Sequence, residues 1–225
     1  MENYCACSLI RDYSILADQE LKEKCLAAQI NAIENTIQLI SDKTTSYNHL
    51  GYVYYVKGDF SRAIECYQKV LAINAESITA HTNLGNIYTK RGRLDEAIFE
   101  YKKTLTINPN FAEAHYNLAL AYENKKMLEE AILAYKKAIA TKPDHVNAYT
   151  KLGTAYIKKG WLAEAITVFE HALAINPNYV HAHKNLALAY YIKGNYKLAV
   201  IHCDKAVAQG SKIPPSFLSS LEPYH

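Results

Sequence analysis

The residues ITAHTNLGNIYTKRGRLDEAIFEYKKTLTINPNF, from Ile78 to Phe111, recur along the chain. Similar stretches begin at Ala112 and Val146, so the sequence repeats with a period of 34 residues. A fixed period between about 20 and 50 residues is typical of a solenoid, in which each repeat buries its apolar face against its neighbours. Positions within a repeat are numbered 1 to 34, with Ile78 at position 1.

The composition excludes several classes of protein. The chain has 225 residues, half of them apolar, and a formal net charge of +3. Such a small charge forces neither a nucleic-acid nor a membrane-surface function. Five cysteines without the spacing of a secreted scaffold favour a reducing compartment. We expect no signal peptide and no membrane-spanning segment, and therefore a cytoplasmic protein.

Each repeat is predicted to form two helices. Five clear repeats occupy residues 44–77, 78–111, 112–145, 146–179 and 180–213. In the first helix, leucine and tyrosine four positions apart, such as Leu84 and Tyr88, share one apolar face. A glycine such as Gly92 then suits a helix C-cap with positive φ. Lys126 replaces this glycine in the third repeat, which predicts local strain or an altered turn.

The second helix carries alanine at position 20 in all five repeats. These residues are Ala63, Ala97, Ala131, Ala165 and Ala199. An alanine at one fixed place indicates that two helix backbones approach closely there, and a larger side chain would cost about 1–3 kcal/mol. Proline at position 32 of three repeats (Pro109, Pro143, Pro177) ends the second helix.

The two ends of the chain depart from the repeat. Residues 1–9 are expected to be flexible, and 10–43 are interpreted as a degenerate repeat that acts as a cap. The alternative for 10–43 is one long amphipathic helix, whose apolar spacing also suits a helix–helix seam in a dimer. The residues with that spacing are Leu26, Ile30, Ile33, Ile37 and Ile40. Residues 214–225 are predicted to form a capping helix and a tail.

Together these residues resemble the tetratricopeptide repeat. The Leu-Gly/Ala-x-x-Tyr pattern, the alanine at position 20, the aromatic at 24 and the proline at 32 carry the resemblance, which covers at least 44–213. The family implies an all-α fold: a right-handed superhelix, or α-solenoid, of antiparallel helix pairs. First helices would line its concave face and second helices its outer wall. The histidines and tyrosines at position 4 most resemble the repeat arm of the O-GlcNAc transferase.

Position 6 of the first helix is the main candidate for binding. Positions 2, 5, 6, 9 and 13 lie away from the leucine–tyrosine face and are expected to face the groove. Position 6 holds His49, Asn83, Asn117, Lys151 and Asn185. An asparagine side chain both donates and accepts, so it can hold a peptide backbone. The resemblance to the O-GlcNAc-transferase arm implies that role for Asn83, Asn117 and Asn185; the alternative is that these repeat residues simply face water.

Further candidates extend this groove. Asn86, Asn117, Asn147 and Lys151 partly resemble the clamp with which some members of the family hold a terminal carboxylate, although Thr82 stands where a basic residue is needed. Lys90, Lys151, Lys158 and Lys184 would make the groove mildly basic and favour an acidic segment. Four tyrosines outside the leucine–tyrosine face would add stacking contacts. They are Tyr52, Tyr55, Tyr116 and Tyr191.

The sequence contains no catalytic motif, so we expect a non-enzymatic protein without cofactor or metal. His81, His115 and His183 are interpreted as packing residues, and Cys5 and Cys7 as flexible thiols. The predicted function is a scaffold that binds a protein or peptide segment and no nucleic acid, and the groove lysines favour an acidic segment. Two alternatives are a scaffold that self-assembles through its ends, and an accessory subunit that selects substrates for a separate enzyme such as a glycosyltransferase.

Overall fold

A computed structural model describes residues 19–37 and 43–224. All secondary structure in these residues is helical, which confirms the predicted all-α fold. The chain divides into two compact units, Met1–Pro109 and Asn110–His225. The predictions for residues 1–9, for Cys5 and Cys7 and for Ile40 lie outside the described residues.

Within its described residues, the first unit has one helix followed by two helix pairs. The helices are α1 (Gln19–Thr36), α2 (Lys43–Lys57), α3 (Phe60–Ile73), α4 (Ile78–Lys90) and α5 (Leu94–Ile107). Within each pair, α2 with α3 and α4 with α5, a short turn joins helices that pack along their length, so the two run antiparallel.

The second unit contains three such pairs and a short final helix. The pairs are α6 (Ala112–Asn124) with α7 (Leu128–Thr141), α8 (Val146–Lys159) with α9 (Leu162–Ile175), and α10 (Val180–Ile192) with α11 (Tyr196–Ala208). They are followed by α12 (Pro215–Leu221) and a 3-10 turn at Glu222–Tyr224. Each pair falls within one of the 34-residue repeats.

Small residues allow the helices of a pair to pack closely. The alanines at position 20 are completely buried in all five repeats. At position 8, a Cβ added to Gly85 would lie 2.6 Å from the ring of Tyr101, and one added to Gly153 would lie 2.4 Å from the ring of Phe169. The aromatic ring of the second helix therefore occupies the space that a side chain on the first helix would need.

The turn between the two helices is the same in the third repeat as in the others. Lys126 has φ 64°, close to the 72° of Gly92. The N–H of Lys126 donates to the carbonyl of Glu123 at 3.0 Å, as the N–H of Gly92 donates to that of Thr89 at 3.1 Å. The turn is thus not altered. The other predicted alternative, local strain, agrees with the left-handed backbone of Lys126, which disfavours residues with a Cβ.

The N-terminal helix does not contain the turn of a full repeat. Helix α1 is continuous from Gln19 to Thr36 and passes through Lys24, where the repeat register places the turn. The lysine at this position does not by itself explain the continuity, because Lys126 forms the turn in the third repeat. Leu26, Ile30 and Ile37 are at most 6% exposed within this one chain, so they are not available for a dimer seam.

The C-terminal helix α12 covers the apolar end of the last pair. Leu221 is completely buried, and the ring of Phe217 lies 5.3 Å from that of Tyr191. Beyond α12, Tyr224 stacks on Tyr196 at 4.0 Å. Tyr191, which the sequence suggested as a groove residue, thus packs against this cap.

Candidate functional site

The first helices of the second unit carry a polar cavity of about 330 Å³. Helices α8 and α10 contact each other directly, and both contribute residues to it. The lining residues are Tyr116, Asn147, Thr150, Lys151, Thr154, Tyr179, His181 and Asn185. Four of the predicted groove residues, Tyr116, Asn147, Lys151 and Asn185, are thus brought to one place.

The cavity presents hydrogen-bond donors. The hydroxyl of Tyr179 donates to Oδ1 of Asn147, which leaves the NH₂ group of Asn147 as a donor. Lys151 is half-buried, and its ammonium group makes no hydrogen bond or ion pair with any residue that the structure describes. None of the residues lining this cavity is acidic. The cavity therefore suits an anionic group.

The carboxylate of Glu123, which interacts electrostatically with Lys151, is already compensated. It accepts hydrogen bonds from the hydroxyl of Tyr135 at 2.8 Å and from the ammonium of Lys158 at 2.5 Å. Burial raises the pKa of Glu123, but these hydrogen bonds outweigh burial and hold the pKa below its usual value. Glu123 is therefore ionised at neutral pH, and its negative charge is paired with the ammonium group of Lys158.

A second depression of about 620 Å³ shares Tyr116 and Asn147 with the cavity. It is lined by Asn110, Phe111, Ala112, Glu113, Tyr116, Asn117, Thr141, Lys142, His145 and Asn147. The ring of Tyr116 lies 4.8 Å from that of His145. Burial lowers the pKa of His145, so this imidazole is neutral at neutral pH and offers a flat, uncharged surface.

The predicted residues of the first unit are placed differently. His49 and Tyr52 are exposed, but Asn83 and Asn86 are half-buried. Asn83 is hydrogen-bonded to the Tyr67 side chain, and the hydroxyl of Tyr101 donates to Oδ1 of Asn86 at 2.7 Å. The amide of Asn83 therefore also contacts α3, and the amide of Asn86 contacts α5.

Two of the positions assigned to the groove are less open than the sequence predicts. Position 5 is buried at Thr82 and Thr150, because the helix turns this position partly towards its neighbour. Thr82 pairs with Thr104 through their hydroxyls at 3.2 Å. Asn117 and Asn185 at position 6 are half-buried and do not face open water.

Most of the predicted lysines are already engaged or lie elsewhere. Lys90 lies over the ring of Tyr55 at 4.4 Å, and Lys158 pairs with Glu123. Lys184 is exposed but lines neither the cavity nor the depression. Lys151 is thus the lysine that carries the positive charge of the cavity.

The aromatic residues at position 34 were not predicted as groove residues. Phe111, His145 and Tyr179 are the N-cap residues of α6, α8 and α10, and none makes a side-chain capping hydrogen bond. At the same position Ser77 does cap α4, accepting from the N–H of Ala80 at 3.3 Å. A missing cap costs about 1 kcal/mol. The recurrence of a ring at a capping position was the signal that could have found these groove residues.

The histidines at position 4 pack between helices. Nδ1 of His81 lies 2.6 Å from the carboxylate of Glu100, and its Nε2 lies 3.0 Å from the carbonyl of Ala75. In the last pair, His183 makes the corresponding contacts with Nδ1 of His202 at 2.9 Å and the carbonyl of Pro177 at 3.0 Å. Among the described residues, no group of three or more candidate ligands is arranged for a metal ion.

Paired helices in a 34-residue repeat define a helical-repeat protein. The family described as "TPR repeat" matches residues 51–90, 85–126 and 153–194, and "Tetratricopeptide repeat" matches 112–145 and 134–167. The first of these alone covers more than half of the chain, which therefore belongs to the tetratricopeptide repeat family. Its fold and family are those of protein-interaction scaffolds.

Several solved structures are similar to this chain. A crystal structure of MamA is 33% identical, with a TM-score of 0.68, and the match covers 72% of this chain and 94% of MamA. A second MamA structure is 31% identical over 78% of this chain and 100% of the other, with a TM-score of 0.69. YrrB, described as a TPR protein with an unusual peptide-binding site, is 21% identical over 80% of this chain and 93% of YrrB, with a TM-score of 0.66, and this likeness shows the fold alone. No curated protein matches the sequence significantly.

No helix in the described part of the chain combines the length and the apolar character that a bilayer-spanning segment needs.

Proposed function

We propose that this chain is a non-enzymatic scaffold that holds an extended segment of a partner protein against the first helices of the second unit. The observation that carries the proposal is the cavity, in which Lys151 and the amides of Asn147 and Asn185 converge without an acidic neighbour in the lining. Such a set of donors binds a carboxylate or a backbone carbonyl. An acidic segment is therefore the preferred partner.

Each group has a separate task in this proposal. The side chains of Asn117, Asn147 and Asn185 hydrogen-bond to the backbone of the segment, and Lys151 attracts an acidic side chain. The resemblance to the O-GlcNAc-transferase arm supports this use of the asparagines at position 6. The peptide-binding site by which YrrB is described lends the proposal general support, since the two chains share a fold.

The rigidity of the helix pairs favours binding. The buried alanines at position 20 and the rings packed on Gly85 and Gly153 hold the first helices in fixed positions. A preformed site loses little conformational freedom when it binds, so more of the interaction energy appears as affinity.

Affinity capture from a native cell extract tests the proposal. Wild type is compared with the triple variant Asn147→Ala/Lys151→Ala/Asn185→Ala, and Lys137→Ala serves as a control because this exposed lysine lies on the second helix α7. We expect a partner that is recovered with wild type and the control but lost with the triple variant. Equal recovery with all three proteins would place binding outside the cavity.

The same experiment separates the two alternatives. A self-assembling scaffold would recover only its own chain, and light scattering would then give a mass above that of one 25.4 kDa chain. An accessory subunit would recover an enzyme, such as a glycosyltransferase. The cytoplasmic location stays a prediction, which fractionation of the native cell would test.

A further inference from the structure

We propose that Leu188 and Ile192 form an apolar ledge beside the cavity, which selects a partner segment carrying an apolar side chain close to an acidic one. This inference rests on the proposed function, because it assigns the chemistry of the segment bound there. The term ledge refers to these two side chains of α10 only.

The ledge continues directly from the cavity. Asn185 lines the cavity, Leu188 follows it after three residues, and Ile192 follows after four more, so all three share one face of α10. The opposite face of this helix is occupied by the core residues His183, Leu186 and Tyr190. Leu188 and Ile192 thus lie on the face of α10 that points away from these core residues.

Both ledge side chains are exposed. Leu188 is 40% exposed and Ile192 is 51% exposed. Single exposed apolar residues are ordinary on protein surfaces. Leu188 and Ile192, however, lie one turn apart and next to the cavity. Together they place an apolar surface beside a polar site that suits an anionic group. Burying them against a ligand removes apolar surface from water and adds affinity.

Within the second unit, apolar residues occupy both ledge positions only on α10. At the same two positions, α6 has Leu120 and Asn124, and α8 has Thr154 and Lys158. Leu120 is half-buried and is followed one turn later by the exposed, polar Asn124, so α6 offers no continuous apolar surface. Helices α6 and α8 therefore offer the segment amide groups and the charge of Lys151, but no continuous apolar surface. The exposed leucine and isoleucine on α10 add selectivity at one end of the site.

Charge and spacing define the segment that fits. Lys151 in the cavity and the exposed Lys184, one turn before Leu188, favour a negative charge at the start of the ledge. Along the helix, the middle of the ledge lies about 7.5 Å from Asn185 and its far end at Ile192 about 10 Å. An extended segment advances about 3.3 Å per residue, so its apolar side chain would lie about two to three residues from the acidic one.

Selection from a library of random 12-residue peptides on phage tests the inference. Each peptide is joined to the coat protein through its C-terminus, so no free terminal carboxylate is offered. The full chain, Lys151→Ala and Leu188→Ser/Ile192→Ser are used as baits. Leu133→Ser/Ile201→Ser is the matched control, because these exposed apolar residues lie on the second helices α7 and α11. Thermal melts of all baits check that they are folded.

With wild type and the control we expect enrichment of peptides that carry an acidic and an apolar residue two to three positions apart. The ledge variant should keep the acidic preference and lose the apolar one, whereas Lys151→Ala should lose the acidic preference. In titrations of the selected peptide, we expect the ledge variant to bind about tenfold more weakly, as the loss of one buried side chain predicts.

Two outcomes would overturn different claims. Acidic peptides without an apolar residue at a constant spacing, bound equally by the ledge variant, would contradict the ledge but leave the proposed function standing. Peptides whose enrichment is unchanged by Lys151→Ala and by the ledge variant would contradict both, because binding would then take place elsewhere on the chain.

Discussion

At the scale of single residues, one repeat keeps its turn although the turn glycine is replaced by lysine. Lys126 occupies the turn position at which the other four repeats have glycine, and its φ of 64° lies in the left-handed region. The surrounding hydrogen bonds are the same as in the glycine turns. The packing of α6 against α7 therefore imposes the turn. Lys126 adopts the left-handed conformation although its Cβ makes that conformation unfavourable in free energy.

Replacing Lys126 by glycine should stabilise the protein. We expect the free energy of unfolding to rise by about 1 kcal/mol, the typical cost of a left-handed conformation for a residue with a Cβ. Urea denaturation followed by circular dichroism measures this. Gly92→Ala is the matched control and should destabilise by a similar amount, since Gly92 has φ 72°. Unchanged stability for Lys126→Gly would show that the turn is not strained.

Overpacking at position 20 should have the opposite effect. Ala131 is completely buried where α7 approaches its neighbours, so Ala131→Leu should lower the free energy of unfolding by about 1–3 kcal/mol. Leu133, two residues further along the same helix, is 60% exposed, and Leu133→Ala should have little effect. If Leu133→Ala were the more damaging in urea denaturation, the faces of α7 would be wrongly assigned.

At the scale of helices, the α4–α5 and α10–α11 pairs share a geometry but not their polar contacts. His81 faces the carboxylate of Glu100, whereas His183 at the same repeat position faces His202. The ring of His202 also stacks on Tyr190, whose hydroxyl donates to Glu170, and Lys205 lies one turn further on. A histidine pair beside a lysine resists protonation, because an added proton meets neighbouring positive charge.

The last helix pair should therefore lose stability in acid. Burial, the neighbouring His183 and Lys205 lower the pKa of His202 to about 4. The unfolded chain binds this proton below a pH of about 6.5, so stability is fully present above that value and falls as the pH drops towards 4. We expect the melting temperature to fall between pH 7 and pH 5.

The variant His202→Glu provides the matching test, because it recreates the pair of His81 and Glu100. Its melting temperature should fall less between pH 7 and pH 5 than that of wild type, since His183 would then gain a carboxylate partner. The comparison removes the contribution of the other titrating groups, which are the same in both proteins. Equal pH dependence would mean that the histidine pair does not control this loss.

At the scale of the whole molecule, function depends on which side chains the repeats leave available. The leucines, alanines and tyrosines of the repeat pattern are buried by packing within each unit, so they are not available to a partner. The remaining groove positions vary from repeat to repeat, and in the second unit they produce a cavity with one lysine and no acidic lining residue. The repeat thus supplies a constant frame, and the variable positions supply specificity.

Binding of an acidic segment should depend on Lys151 and on salt. For the peptide selected by wild type, we expect Lys151→Ala to weaken binding about tenfold and Lys137→Ala to leave it unchanged, as the loss of one charge-assisted hydrogen bond implies. Fluorescence anisotropy at two salt concentrations should show wild-type binding weakening with salt more than that of Lys151→Ala. An identical salt dependence for wild type and Lys151→Ala would show that Lys151 does not contact the peptide.

Much of the site, but not all, was predictable from the residues alone. Position 6 identified Lys151 and Asn185 because helical periodicity places that position away from the leucine–tyrosine face. Periodicity does not tell how deeply a side chain lies, and so position 5 was expected to face the groove although Thr82 and Thr150 are buried there. It also cannot show that Tyr179, which precedes α10, lies beside Asn147 of another helix.

The sequence by itself determined the family, the paired helices and the close contacts at alanine and glycine, because a local pattern repeated five times leaves few ways to bury its apolar faces. Only the tertiary structure decided which polar groups remain available. It showed Lys90, Lys158 and Asn86 engaged with neighbours, and Lys151 and Asn147 placed in one cavity. The physical reason is that hydrogen bonds and ion pairs between side chains depend on distances across helices, which the order of residues does not specify.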